Sequence, residues 1–580
     1  MKTSLVSLIL PTFLITVVSS KILNTRYGAL TGFDYQTESG RLAEIFLGIP
    51  YARPPVNNLK FERPVAINPW RGVLNASRFP SSCAVHDPIF AANASEDCLY
   101  LNVYRPKWKS PSPNGHPIVV WIHGGGWMMG DTEYYGYKAI SDNFIPQGII
   151  VISIQYRLGP WGFFSTGDSR LPGNLGLWDQ VQALKFINQV ARDFGGDPKR
   201  VTLMGQSAGS ASISWLSLTA QTDGLFQQSI QFSGSAYGAW SRSNQVVDFS
   251  ANLAKDLGCD FSSRNLKACL KKFSIKDIQK KTSGIGLFNQ DINFAYMNPR
   301  IDGQFLRGFN FDDSIKKAPR RPTLISVTSQ DSLFWSYEQL GLMPAEELYN
   351  LPDEEVQSYS RAKLVSFIKK NVATKERFGP RAQEAANEII SHYADLKVPA
   401  RPDNLFYFER FTQLLSDLHF NLPAVREARL KAIAGYPVFF QVYSYEKGLE
   451  FTEYPIHGTP HGAELYPLFK TFVYAGFEEV PEDEKIRKTF VEFLASFIRT
   501  GNPSTKRIRI PTLTKSRFPY LDLNLSPTIR QNPFESHYIF WERMVRKYMF
   551  DVSKGISMRQ FLVKASKQPR ELVPFRQLAQ

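Results

Sequence analysis

Short runs of apolar and β-branched residues recur along the chain, and helix-like stretches separate them. IVVWI (118–122), IIVISI (149–154), VTLM (201–204), SIQF (229–232), TLISV (323–327) and VFFQVYSY (438–445) read as strands. Between two of them, LWDQVQALKFINQVARDF (177–194) places apolar residues three and four apart, the spacing of a helix with one buried face. Strands that alternate with helices predict an α/β fold: a large central mixed, mostly parallel sheet flanked by helices. In such sheets the ligand lies beyond the carboxyl ends of the strands. Chemistry is therefore expected in the segments that follow these runs.

The first twenty residues follow a different pattern. MKTSLVSLILPTFLITVVSS has Lys2, then an apolar run from Leu5 to Val18, then Val18-Ser19-Ser20. The run is short for a membrane span and contains Pro11, so residues 1–20 are expected to be a cleaved secretory signal. Residues 21–580 are expected to form one domain. No later apolar run reaches membrane length, and the C-terminal RELVPFRQLAQ carries no lipid-anchor or retrieval signal, so no stable membrane anchor is expected.

Export changes how the four cysteines read. They fall into two local pairs, Cys83/Cys98 and Cys259/Cys269, which suit short-loop disulfides in an oxidising compartment. Neither CxxC spacing nor a histidine cluster accompanies them, which argues against zinc. Asn75-Ala-Ser, Asn93-Ala-Ser and Asn524-Leu-Ser are glycosylation sequons, whereas Asn502-Pro-Ser is blocked by its proline. Hydrophobic residues make up 43% of the chain and charged residues 21%, as in a soluble globular protein. The net charge of +15 is scattered, densest in 270–281 and 316–321, and reads as solvated surface with no nucleic-acid module.

The candidate chemistry sits where the strand pattern puts it. VTLM leads into Gly-Gln-Ser-Ala-Gly (205–209), and a helix-compatible run follows. G-x-S-x-G is a common pattern on its own. Between a strand and a helix it makes a nucleophile elbow, with Ser207 at the helix N-terminus and small residues where the turn is sharpest. A serine hydroxyl needs a base. His461, in the Gly/Pro-rich GTPHGAELYPLF, follows the 438–445 strand, and His457 and His419 are the alternatives. The base needs an acid to fix its tautomer. Asp331, in TLISVTSQDS, follows a strand, with Asp312, Asp313 and Glu338 less well placed. Upstream, IVVWI runs into HGGGW (123–127). Its glycines let the N–H groups of Gly125 and Gly126, with that of Ala208, face one oxyanion. No G-K-[ST] follows to make it a phosphate loop.

These blocks resemble the type-B carboxylesterase/cholinesterase family of α/β-hydrolases over most of the mature length. FLGIPYARPPVNNLKF (46–61), SEDCLYLNVYRP (95–106), YRLGPWGFFSTGD (156–168), NLGLWDQVQAL (174–184), FSGSAYGAW (232–240), PRIDGQFL (299–306), LLSDLHF (414–420) and HGAELYPLF (461–469) stand in the family's order around HGGGW and the serine. The resemblance implies an α/β-hydrolase fold with a small N-terminal sheet. It also implies a cofactor-free serine hydrolase of small carboxylic esters. Ser207 matches its nucleophile, Asp331 its acid, His461 its base, and Gly125, Gly126 and Ala208 its oxyanion donors. Cys83–Cys98 and Cys259–Cys269 match two family disulfides, and Trp240 resembles an acyl-pocket wall.

Three departures stand out. The acid is Asp331-Ser332 where Glu-Gly is usual. Gln206 stands beside the nucleophile, in the substrate pocket, where Glu is frequent. Lys60-Phe61 replaces Arg-Phe, and Lys60 is expected to pair with Glu96. The Cys83–Cys98 loop has no Trp for a quaternary ammonium and a third cholinesterase disulfide has no cysteines, which argues against acetylcholine. The rival readings are an inactive cholinesterase-like adhesion protein and a lipid- or glycan-binding protein. FWERMVRKYM (540–549) reads as either a dimer helix or core.

Overall fold

A computed structural model describes residues 22–91, 93–286, 288–306, 311–337, 349–396, 403–449, 455–471 and 477–558. The expected signal at 1–20 and the alternative acid Glu338 lie outside the described residues. Eleven strands form one sheet. In chain order they are β1 (Phe33–Gln36), β2 (Leu42–Pro50), β3 (Tyr100–Pro106), β4 (His116–Ile122), β5 (Ile150–Ile154), β6 (Gly196–Gln206), β7 (Gln228–Phe232), β8 (Thr323–Thr328), β9 (Val438–Tyr443), β10 (Pro519–Leu523) and β11 (Thr528–Gln531). Their spatial order is β11-β10-β9-β8-β7-β6-β4-β5-β3-β2-β1. From β5 to β10 every neighbouring pair is parallel. The pairs at the two ends, β1/β2, β2/β3, β3/β5 and β10/β11, are antiparallel. Ile22–Thr25, Gly28–Thr31 and Val73–Asn75 make a separate three-stranded sheet near the N-terminus. The mixed, mostly parallel sheet with a small N-terminal sheet is the α/β-hydrolase architecture.

The central strands are mainly apolar because both faces are covered. Every residue of β4, β5, β7, β8 and β9 is buried. In β4 the period of two sorts the side chains between two cores. Ile118, Val120 and Ile122 join Leu177 and Leu184 of α1 (Leu175–Val190) and Ala211 and Trp215 of α2 (Ala208–Leu218). Val119 and Trp121 join Phe490 and Leu494 of α4 (Pro481–Thr500) on the other face. α3 (Leu422–Ile433) adds Ala424, Val425 and Ala428 to the first core. A third core of helical segments takes Phe540, Trp541, Met544 and Tyr548 of α5 (Glu535–Tyr548), so the apolar face of the 540–549 segment packs within its own chain.

Both cysteine pairs are disulfide-bonded, Cys83–Cys98 and Cys259–Cys269, and no described cysteine is free. Lys60 Nζ lies 2.9 Å from a Glu96 carboxylate oxygen and also donates to the Phe273 carbonyl, while Trp161 donates to the other Glu96 oxygen. The sequon residues Asn75 and Asn93 are exposed and Asn524 is half-buried.

One close crossing decides how α2 meets the sheet. A methyl on Gly209 would stand 2.0 Å from the Ile122 carbonyl oxygen and 2.7 Å from that of His123. Neither backbone atom can move without disturbing β4. Gly209→Ala should therefore destabilise the protein by about 3 kcal/mol. Gly224 has a φ of +78° and open space around it, so Gly224→Ala should cost only the strain of a left-handed residue, about 1 kcal/mol. Urea unfolding midpoints of the two variants check the difference.

Candidate active site

Three loops at the carboxyl ends of neighbouring strands meet over the sheet. Ser207 follows β6 directly and stands at the N-cap position of α2 without a capping hydrogen bond from its side chain. Its φ is +56° and its ψ −125°, a region that non-glycine residues occupy only when their surroundings force them. The forcing contacts are visible. The Ser207 N–H donates to the Phe232 carbonyl at 2.9 Å, and the Ser207 carbonyl accepts from Ala211 N–H at 2.9 Å. A side chain on Gly234 would stand 2.2 Å from that same carbonyl. The turn is thus clamped between β7 and α2, with the hydroxyl at the N-terminal end of the helix.

Asp331 lies three residues past β8 and is fully buried. Its Oδ2 accepts from the Ser233 hydroxyl at 2.8 Å and from Thr328 N–H at 3.0 Å. Its Oδ1 is 2.7 Å from His461 Nδ1. The His461 N–H donates to the Asp331 carbonyl at 3.2 Å, so backbone and side chain tie the two residues together. The imidazole ring is packed against Trp335 and Phe420, at centroid distances of 4.4 and 4.6 Å. A carboxylate at Nδ1 places the ring proton there and leaves Nε2 as an acceptor.

The glycine loop after β4 completes the group. Gly125 and Gly126 have φ of +102° and +60°. The Gly125 carbonyl is held by Met128 and Met129 N–H at 2.9 and 3.0 Å. The Tyr156 hydroxyl donates to the His123 carbonyl at 2.8 Å. Side chains cannot replace these hydrogens. A Cβ on Gly125 would meet the Met129 carbonyl at 2.3 Å, and one on Gly126 the Phe288 ring at 2.5 Å. Among the described residues, no hydrogen bond engages the N–H of Gly125, Gly126 or Ala208.

The other candidates from the sequence are placed apart or differently. His457 is fully exposed beside Glu446. His419 is buried, its Nδ1 3.2 Å from the Ser332 hydroxyl; burial and the neighbouring His461 hold its pKa down to about 3. Asp312 accepts from the Tyr237 hydroxyl and Asp313 pairs with Lys316 on the surface. Trp240 is buried among Trp127, Phe294 and Phe420 and donates to the His419 carbonyl, one ring removed from His461. The side-chain amide of Gln206 lies 2.9 Å from His461 Nε2. Ser233, Trp335 and Phe420 were not singled out in the sequence. Ser233 and Phe420 fall inside the quoted FSGSA and LLSDLHF blocks, which carry no mark of the contacts they make. Among the described residues no group of acidic, histidine or cysteine side chains could hold a metal ion.

The sequence profile of the carboxylesterase family matches residues 19–541. Gut esterase 1 of Caenorhabditis briggsae is 33% identical, over 92% of this chain and 94% of its own. Carboxylesterase 1E of Mus musculus is 28% identical over 92% of this chain and 94% of its own. Acetylcholinesterase of Bungarus fasciatus is 28% identical over 91% and 87%.

Glu464, three residues past His461, was not marked by sequence either. Its carboxyl is buried and neither oxygen has a hydrogen-bond partner among the described residues. Burial first, and then the nearby Asp331 charge, push its pKa from 4.5 up to about 8, against a small opposing pull from the Gly462 and Glu464 backbone. The folded protein therefore keeps this proton over a range where the unfolded chain loses it. The stabilisation it brings is whole below about pH 4.5 and is lost as pH rises towards 8. Glu464→Gln, which cannot ionise, should gain on the wild type by on the order of 3 kcal/mol between pH 5 and pH 8. Urea unfolding at the two pH values measures this, and an equal difference at both would contradict it.

Proposed function

We propose, from the premise that this chain belongs to the carboxylesterase family and is a carboxylic ester hydrolase, that it cleaves small esters by two-step acyl transfer through Ser207. The observation that carries the reading is the buried 2.7 Å contact from Asp331 to His461 beside the strained turn of Ser207. His461 Nε2 takes the hydroxyl proton as Ser207 Oγ attacks the ester carbonyl. The oxyanion forms against the N–H groups of Gly125, Gly126 and Ala208, whose geometry is set before the reaction and costs no reorganisation. The alkoxide leaves with the proton from His461. Water then gives its proton to the same nitrogen and attacks the acyl-enzyme, which returns Ser207 and releases the acid. Asp331 holds the imidazole in the tautomer this requires and stabilises the imidazolium.

The reading extends to the rest of the chain. Residues 1–20 are removed on export, and residues 21–580 work as one α/β-hydrolase domain with glycans at Asn75, Asn93 and Asn524. The two disulfides fit an oxidising compartment. No helix among the described residues is long and apolar enough to cross a membrane. Trp240 backs the acyl side of the pocket.

A fluorophosphonate probe should label the wild type, and Ser207→Ala should abolish the labelling. Unlabelled wild type would sink the enzyme reading and favour a binding protein. Asp331→Asn should fold normally and lower kcat on the order of 10³- to 10⁴-fold, because the amide cannot fix the imidazole tautomer. Retained activity would move the acid elsewhere. The Cys83–Cys98 loop offers no indole for a cation. A choline ester should therefore react with a kcat/KM about tenfold or more below that of an uncharged ester with the same acyl group.

A further inference from the structure

His461 Nε2, the atom that must receive the serine proton, already has a partner, and it is not Ser207. The Gln206 side-chain amide nitrogen lies 2.9 Å from it. Among the described residues the Ser207 hydroxyl makes no hydrogen bond and does not cap its own helix. The orientation of the amide follows from the other end of the ring. Asp331 takes the Nδ1 proton, so Nε2 carries a lone pair and can only accept; the group facing it must be the amide N–H₂ rather than the amide oxygen. An imidazole nitrogen has one in-plane lone pair. Gln206 and Ser207 therefore compete for one acceptor, and in the resting structure Gln206 holds it.

A second observation shows that this placement is accommodated by the surrounding chain. The amide oxygen of Gln206 lies 2.9 Å from where a side chain on Gly124 would begin, at the head of the glycine loop. The Gln206 carbonyl oxygen, at 2.8 Å, crowds the same point, so the whole of residue 206 lies packed against position 124. Gln206 is buried, so no water competes strongly for the amide.

We propose that Gln206 is a positioning residue that masks the base at rest, and that its amide must leave His461 Nε2 before Ser207 can be activated. This rests on the reading of Ser207 and His461 as nucleophile and base. The amide stays on Nε2 in the Michaelis complex and yields to the serine hydroxyl only as acylation begins, so the contact is broken after the ester has bound. The contact holds the ring in its working tautomer at the cost of rate, because each acylation first breaks a buried hydrogen bond.

The test removes the donor and keeps the shape. Gln206→Met and Gln206→Leu have no N–H and bring no charge to Nε2. The fluorophosphonate labelling rate and kcat for an uncharged ester should rise in both variants by about two- to tenfold, the worth of one neutral hydrogen bond. KM should stay within about twofold. A merely structural glutamine predicts the opposite: slower labelling and a changed KM in both variants. If both variants fold and label no faster than wild type, the mask is disproved; if one fails to fold, the other decides. Wild type that does not label at all overturns the nucleophile assignment instead, so the two failures are distinguishable.

Discussion

The buried hydrogen bond between His461 Nδ1 and Asp331 Oδ1 is the contact on which the rest of the site depends. It places the ring proton on one nitrogen and the lone pair on the other. Every statement about Nε2, whether it meets Gln206 or the serine hydroxyl, follows from that choice. The bond joins residues 130 positions apart. No local structure could form it. It exists because β8 and β9 are parallel neighbours, so that the loops leaving their carboxyl ends start side by side.

Those two loops are stitched together before either functional side chain is considered. Ser329 N–H donates to the Tyr443 carbonyl, Gln330 N–H to that of Thr459, and Thr459 N–H to the Ser329 hydroxyl. The His461 N–H then donates to the Asp331 carbonyl. This ladder brings the shorter Asp331 side chain to His461 Nδ1 where the family resemblance leads one to expect glutamate. The backbone of the histidine loop is drawn against the acid loop, and the missing methylene is made up by main chain. Ser233 and Thr328 fill the other carboxylate oxygen, so the buried charge is met by donors on its far side.

Charge is otherwise kept away from the centre of the site. Glutamine stands in place of a carboxylate at 206, Glu464 is held protonated through neutral pH by burial, and burial also lowers the pKa of His123. Asp331 is left as the carboxyl group in contact with the imidazole. That concentrates its effect on one ring nitrogen, and it leaves the neutral Gln206 amide free to approach the other.

The strand runs were legible because parallel strands covered on both faces must be mainly apolar, and IVVWI, TLISV and VFFQVY are. The antiparallel strands Phe33–Gln36, Leu42–Pro50 and Thr528–Gln531 were not read as strands; β1 and β11 have exposed, polar faces and offer no such run. The helix expected at 177–194 begins at Leu175 and ends at Val190, where the chain turns so that Gly196 N–H reaches the Ala191 carbonyl. By itself the sequence determined which residues leave the strand ends: a serine in a turn of small residues, a triple glycine, and a histidine and an aspartate in loops. Only the tertiary structure decided what those residues touch. That Asp331 rather than Asp312 meets His461, that Phe420 and Trp335 hold the ring, and that Gln206 occupies Nε2 are all contacts between segments distant in sequence. Their distances depend on strand order and loop conformation, and periodicity along the chain carries neither.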